Sequence, residues 1–339
     1  MKERNSNIEL LRIFAMMGVV ALHYVNGSIG GIEKYAVFPG FVWIFCTCVR
    51  SMAVPLVNVF VIITGYYLSC SRAFSFRKIV NLLIIVIFYG AFLYLMICAM
   101  TSSEFSVVGL VRSAFPFFFD SAWFIKTYII LLLIAPYLNR ALSGLSVSGY
   151  RRLLAIQVIL FSVWYSVGLS SPLADDGYGI INFLTLYIIG GYFRRFMEES
   201  GRITGLSSNR AFLLYLCCSL LTAVLSIFIN PFGYAFISNV AGAAMLFLAV
   251  IKKRRKSHKL INILAGNAFD VFFVHTKCFP LLRVGSITGG FLLIPHFVLT
   301  VCSCYLIGFL CGYFRKELIR RTIDRLLNKS VAINRTYSE

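Results

Sequence analysis

An arginine and a histidine stand eleven residues apart in one apolar stretch, Arg12 and His23 in IELLRIFAMMGVVALHYV. Wound as α-helix, eleven residues turn to about 20° past three whole turns and rise roughly 16 Å. The two side chains therefore share a face, with Met16 and Val19 on the stripe between them. Ionisable groups inside a bilayer are costly unless paired or hydrated, which makes both residues functional candidates. A neutral imidazole is what a general base for a hydroxyl requires, so His23 is the candidate catalytic residue. Arg12 would anchor the other end of a long, thin ligand. Glu9, three residues earlier, offers a helical ion pair whose purpose would be only to soften burial of the arginine.

Other segments carry further candidates. The stretch PLVNVFVIITGYYLS has Pro55 to kink a helix, Asn58 as a polar handle and Gly65 to admit another backbone or a ligand. Arg50 falls inside a long tilted span or at the outer mouth of a shorter one. DSAWFIKTYIILLLIAPYLN sets Asp120, Trp123, Lys126 and Tyr128 around a membrane interface, where an aromatic belt accounts for Trp123 and Tyr128 and Asp120 is available to Lys126. NAFDVFFVHTKCFP puts Asp270 near mid-membrane, with His275 and Lys277 in the outer half. His23, Lys126, His275 and Lys277 fall at similar depth, and a polar pocket opening outward is the economical reading. His258 and His296 suit structural roles.

The elements that must position these groups are membrane helices. The 339 residues are 59% hydrophobic and 13% charged, with a mean hydropathy of +0.84, which excludes an ordinary soluble domain. Ten apolar segments can be placed, at 8–25, 41–69, 79–99, 123–140, 153–168, 180–193, 211–229, 233–251, 260–280 and 291–314. The fold class expected is all-α, a polytopic membrane helix bundle of about ten transmembrane helices. The first segment reads as retained rather than cleaved, since Arg12 and His23 interrupt it and no small-x-small site follows. An even count puts both ends on one side. Of the 32 Lys and Arg residues, 25 then fall in the loops and tails of that side and only Lys34, Arg112 and Arg283 in the opposite loops, so both termini are expected in the cytoplasm.

The net charge of +19 thus reports topology, and no nucleic-acid partner is expected. The run KKRRKSHK at Lys252–Lys259 serves as a topology anchor or as a clasp for anionic headgroups or nucleotide phosphates. Residues 1–314 form the membrane-embedded domain. Residues 315–339 form a basic tail whose Leu318, Ile319, Thr322, Ile323, Leu326 and Leu327 share a face suited to the inner leaflet. Ten cysteines sit mostly in apolar segments without CxxC or His spacing, so no metal site is expected. The sequence holds no soluble catalytic domain, phosphate-binding glycine loop or obvious repeat. Any chemistry takes place among the helices.

Arg12, ten intervening residues and His23, the ending FVIITGYYL, AWF at 122–124, IIGGYF at 188–193 and AFDVFFVH at 268–275 together resemble the integral-membrane acyltransferase-3 family, in matching order from about Asn5 to Arg315. The Arg-x10-His element is the specific part. Thr64, Ala268 and Phe269 depart from residues common in the family, and the proline frequent just after the ninth-helix histidine is absent until Pro280. No extracytoplasmic hydrolase-like domain is appended, so acceptor recognition would fall to the bundle and its outer loops.

The resemblance implies an O-acyltransferase of the plasma membrane that moves an acyl group, commonly acetyl, from cytoplasmic acyl-CoA to a hydroxyl of a surface or lipid-linked glycan. Acyl-CoA is then a donor substrate and no cofactor is held permanently; membrane lipids are the remaining partner. It makes Arg12 and His23 the essential pair. Arg12, Gly65 and Tyr66 are assigned to the donor, His23 to catalysis, and Arg50, Trp123, Lys126 and His275 to substrate or oxyanion. An acyl-histidine relay is a second chemical route. Two other readings are a transporter of a lipid-linked or acylated sugar, for which repeats and paired broken helices are not evident, and a scaffold of a polysaccharide-assembly complex, which needs no buried histidine.

Overall fold

A computed structural model describes residues 4–71, 76–101, 104–119, 123–168, 175–196, 205–253, 256–287 and 289–336, except that side chains 76–77, 101, 285 and 319–336 are not described. The described residues are helical, with no strand. In order they form α1 (Ser6–Val25), α2 (Phe41–Leu68), α3 (Phe76–Thr101), α4 (Val107–Ala114), α5 (Trp123–Leu142), α6 (Val147–Val158), a π-helical turn at Ile159–Val163, α7 (Trp164–Ser166), α8 (Ile180–Phe196), α9 (Ser208–Leu225), α10 (Ile237–Ile251), α11 (Lys259–Ala265), α12 (Ala268–Leu281) and α13 (Leu293–Thr336).

Each of the ten expected segments contains helix, although α9 ends at Leu225 and α10 begins at Ile237, inside the expected bounds 211–229 and 233–251. Six helices, α1, α2, α3, α5, α9 and α13, are long and apolar enough to cross a bilayer, and α3 and α9 turn large apolar side chains such as Ile84, Leu95, Leu213 and Leu220 outward. A surface of that kind is at home in lipid, not water. One expected span is broken: 260–280 divides into α11 and α12 at Gly266 and Asn267, both poor helix formers. The Gly266 carbonyl accepts from Lys316 Nζ at 2.8 Å and the Asn267 amide donates to Phe309 O at 3.1 Å, so α13 satisfies the break. The last span and the tail form one unbroken helix, α13; the apolar tail face beyond Leu318 lies outside the described side chains.

α1 sits at the centre, against α2, α10, α11, α12 and α13. Asn5 starts it, its side chain accepting from the Asn7 N–H at 3.1 Å. α8 is buried nearly all round, with Phe183, Leu186, Tyr187 and Ile188 sealed. It meets α2 through reciprocal glycines: a Cβ on Gly65 would lie 2.1 Å from Tyr187 O, and one on Gly190 would lie 2.1 Å from Ile62 O. Small residues let membrane helices pack backbone to backbone. Gly65→Val is therefore expected to destabilise the bundle by about 1–3 kcal/mol, read as earlier thermal unfolding in detergent, whereas the fully open Gly144→Ala should shift it little.

The ends of α2 and α5 are tied by Arg195, which donates to Leu142 O and Ser69 O at 2.7 Å each. Buried Asn139 donates to Leu68 O and Ser71 O and accepts from Tyr187 OH. A guanidinium over exposed carbonyl ends completes bonds that the helices cannot make for themselves.

Candidate active site

Glu9, Arg12, Met16, Val19 and His23 recur at three- and four-residue spacing on α1, and all five line one cavity of about 950 Å³. α3 forms a second wall with the same period, from Lys78 and Asn81 through Ile85 and Tyr89 to Leu93 and Ile97. Residues of α2, α5 and α12 complete it. The stripe expected on the first helix is a wall of a continuous chamber with Arg12 at one end and His23 at the other.

The Arg12 end is cationic. The guanidinium is 3.3 Å from both carboxylate oxygens of Glu9 and its centre is 5.6 Å from the Tyr67 ring centroid. The Arg12 side chain keeps 34% exposure while Glu9 keeps 5%, so the ion pair softens burial of the carboxylate and leaves arginine donors facing the chamber. Arg4 and Lys78 line the same mouth.

At the other end two histidines meet. His23 Nδ1 lies 2.6 Å from His275 Nε2, the rings parallel to within 9°. His275 Nδ1 lies 3.0 Å from Val271 O. A carbonyl only accepts, so His275 Nδ1 carries a proton and, in the neutral ring, its Nε2 is the acceptor. His23 Nδ1–H must then donate to His275, which leaves His23 Nε2 with its lone pair. An imidazole base held in one tautomer by a second group is the arrangement that proton abstraction from a hydroxyl requires.

Trp123 lines this end, stacked at 30° on Tyr234 with 5.2 Å between ring centroids and edge-on to Tyr178. Lys277 and Thr276 line it as well. Thr64 Oγ1 donates to Phe60 O at 2.9 Å and lies 3.1 Å from Tyr128 OH, so the phenol donates to the threonine, and both line the chamber.

Several expected site residues stand elsewhere. Lys126 does not line the chamber, because α5 turns Trp123, Phe124 and Tyr128 toward it instead. Gly65 is occupied by its crossing with α8. Tyr66 packs edge-on against Phe247 with Arg194 over its ring, while Thr64 and Tyr67 are the chamber-facing residues of that turn. Arg50 pairs with Glu33 and stacks on Phe232 in a separate pocket. His275 has both ring nitrogens engaged, so its place is behind His23 and it has no N–H left for an oxyanion.

Asp270 is buried with Arg315, whose Nε lies 2.8 Å from Oδ1, and accepts from Tyr89 OH at 2.9 Å. His296 joins Leu282 O to Tyr24 OH, a structural role, as expected. The backbone of His258 donates to Ser6 Oγ at the start of α1. Asp120, Ala122, Arg254 and Arg255 lie outside the described residues. Among the described residues no group of three or more His, Cys, Asp or Glu could hold a metal ion.

Sequence reasoning missed the α3 wall. Its signal was present in the three- and four-residue spacing of Lys78, Asn81, Ile85 and Tyr89, but Lys78 reads equally well as a topology marker. It also discounted Thr64, whose hydroxyl pairs across the chamber with Tyr128.

Among the described residues the protein is a helical bundle with several helices apolar and long enough to cross a membrane, and α1, α2, α3, α5 and α12 enclose a chamber with a guanidinium at one end and a paired imidazole at the other. The chain is a member of the acyltransferase-3 family: the family's sequence model, described as an acyltransferase domain, matches residues 5–313, nearly the whole chain. It is accordingly a membrane acyltransferase. No curated protein and no solved structure matches it significantly.

Proposed function

We propose that the protein is an O-acyltransferase of the plasma membrane that takes an acyl group, acetyl in the simplest case, from cytoplasmic acyl-CoA to a hydroxyl of an extracytoplasmic or lipid-linked glycan. The observation that carries this reading is the single chamber that joins Arg12 to His23. Both termini and the Arg12 mouth face the cytoplasm in this reading, in keeping with the distribution of Lys and Arg. Residues 1–314 carry the reaction, with Arg315 still packed in the bundle against Asp270, and the basic tail that follows stays on the inner side in this reading.

The donor phosphates rest at Arg4, Arg12 and Lys78, and the pantetheine arm runs along Met16 and Val19 toward His23. His23 Nε2 takes the proton from the acceptor hydroxyl as its oxygen bonds to the thioester carbonyl carbon. His275 accepts from His23 Nδ1–H and holds the ring as its charge develops. Lys277, a cation lining that end, faces the oxygen on which negative charge builds. Collapse breaks the C–S bond; the CoA thiolate takes the proton from His23, giving ester and free thiol. Confinement in the chamber aligns the two reactants.

Purified protein with radiolabelled acetyl-CoA and glycan extracted from the cells that make it tests the reading. Label on the glycan supports it, whereas glycan movement across a vesicle membrane without label incorporation supports a transporter. Arg12→Gln is expected to raise the acetyl-CoA concentration for half-maximal rate roughly ten- to a hundredfold, the worth of one charge-assisted hydrogen bond. Because that change strips Glu9 of its partner, Glu9→Gln with Arg12→Gln should restore folding without restoring donor affinity.

A further inference from the structure

A second, smaller pocket of about 400 Å³ lies beside the His23 end, lined in part by Glu33, Trp43, Thr47, Arg50, Asn230 and Phe232. Glu33 belongs to a 3-10 turn, Ile32–Tyr35, in the loop that follows α1. Its carboxylate pairs with Arg50 of α2 and also accepts from the Gly27 N–H at 3.3 Å, four residues after His23. The Arg50 guanidinium lies 4.0 Å from the centre of the Phe232 ring. The pair is accessible, with side-chain exposures of 27% and 35%.

Two buried amides behind the pocket hold the loop that carries Phe232. Asn239 donates to Pro231 O and Gly233 O at 2.9 and 2.8 Å, and Asn58 donates to Tyr234 O at 2.8 Å. Neither amide is more than 2% exposed. They clamp a short loop that presents Phe232 to the small pocket and Tyr234 to the chamber, where Tyr234 stacks on Trp123. One fixed loop therefore walls both sites, and its aromatic residues are held in place before any ligand arrives.

The lining identifies the ligand class. Two aromatic side chains, Trp43 and Phe232, the latter with one face stacked on Arg50, line the pocket and offer apolar surface to the C–H face of a ring. A guanidinium, a carboxylate, a side-chain amide and a hydroxyl offer both donors and acceptors to adjacent hydroxyl groups. Aromatic faces flanked by planar, two-pronged polar groups match a saccharide ring, which is apolar on its faces and carries hydroxyls around its edge. An acyl chain would make no use of these polar groups, and a CoA phosphate would meet the Glu33 carboxylate.

We infer that this pocket is a subsite for a sugar residue of the acceptor, next to the one being acylated, and that Arg50 and Phe232 set acceptor affinity. The inference rests on the acyl-transfer reading and gives Arg50 a role in acceptor binding outside the reacting chamber. The shared loop then carries the chain of sugars from the pocket past Tyr234 and Trp123 to His23.

The test uses the full-length protein in proteoliposomes, with radiolabelled acetyl-CoA and glycan extracted from the producing cells as acceptor. Phe232→Ala and, separately, Arg50→Gln should raise the half-saturating glycan concentration about tenfold, the loss of one anchoring contact. Half-saturation by acetyl-CoA should stay at the wild-type value in both. Phe232→Ala leaves the Arg50 ion pair intact, so it reads the subsite even where Arg50→Gln loosens the outer loop. Unchanged glycan half-saturation in a folded Phe232→Ala protein, or an equal shift for acetyl-CoA, overturns the subsite. Absence of any label on glycan with the wild-type protein overturns the acyl-transfer reading beneath it instead.

Discussion

His23→Ala is expected to lower the maximal rate of acyl transfer by about 10²- to 10⁴-fold, the usual contribution of a positioned general base, while leaving acetyl-CoA half-saturation near its wild-type value. Donor affinity in this account comes from the Arg12 end, at the far end of the chamber. The substitutions of His275 sharpen the expectation. Its Nε2 accepts the His23 Nδ1–H and its Nδ1–H goes to Val271 O. His275→Gln offers an amide oxygen as a replacement acceptor, so it should retain more activity than His275→Ala, in which His23 is free to take the other tautomer. Initial rates at saturating donor, measured for the three variants side by side, check the order. Equal losses in the Gln and Ala variants would count against the orienting role.

Arg315→Ala is expected to cost about 3–5 kcal/mol of stability, because it leaves Asp270 as an uncompensated charge in the bundle. Asp270 is 2% and Arg315 7% exposed. Tyr89 adds a hydrogen bond from the chamber wall, and a Cβ on Gly312 would come within 2.6 Å of the carboxylate carbon. The cluster therefore ties α3, α12 and α13 together one helical turn and a half from His275. Replacing both charges, as in Asp270→Leu with Arg315→Leu, should recover most of the loss, since apolar pairs of similar volume are often as stable as a buried ion pair. Chemical unfolding in detergent separates the single from the double variant.

Much of the site was legible in α1 alone. A strict helical period fixes which residues share a face, so Arg12, Met16, Val19 and His23 could be placed on one stripe before any partner helix was known. What that stripe faces depends on packing between distant segments. Nothing near Arg50 in sequence announces Glu33, seventeen residues away, or Phe232. The same holds for Asp270 and Arg315, joined only when α12 packs on α13, and for His23 and His275, joined only when α12 comes to lie against α1. Gly65 shows the opposite difficulty: its sequence context suits a ligand or a second backbone equally, and only the crossing with α8 decides for the backbone. Lys126 misled for a simpler reason, since a charge at the right depth was taken to lie on the chamber side of its helix. The expected span at 260–280 concealed a break because its apolar character continues across Gly266 and Asn267.

The central claim is that one chamber conducts an acyl group from a donor at Arg12 to an acceptor at His23. Sealed vesicles of uniform orientation, with radiolabelled acetyl-CoA confined to the Arg12 side and glycan to the other, measure it directly. Label should reach the glycan in the wild-type protein, with unlabelled CoA remaining on the donor side, and should fall to background in His23→Ala. Label that appears only when donor and glycan share one side, or that persists undiminished in His23→Ala, would contradict the account.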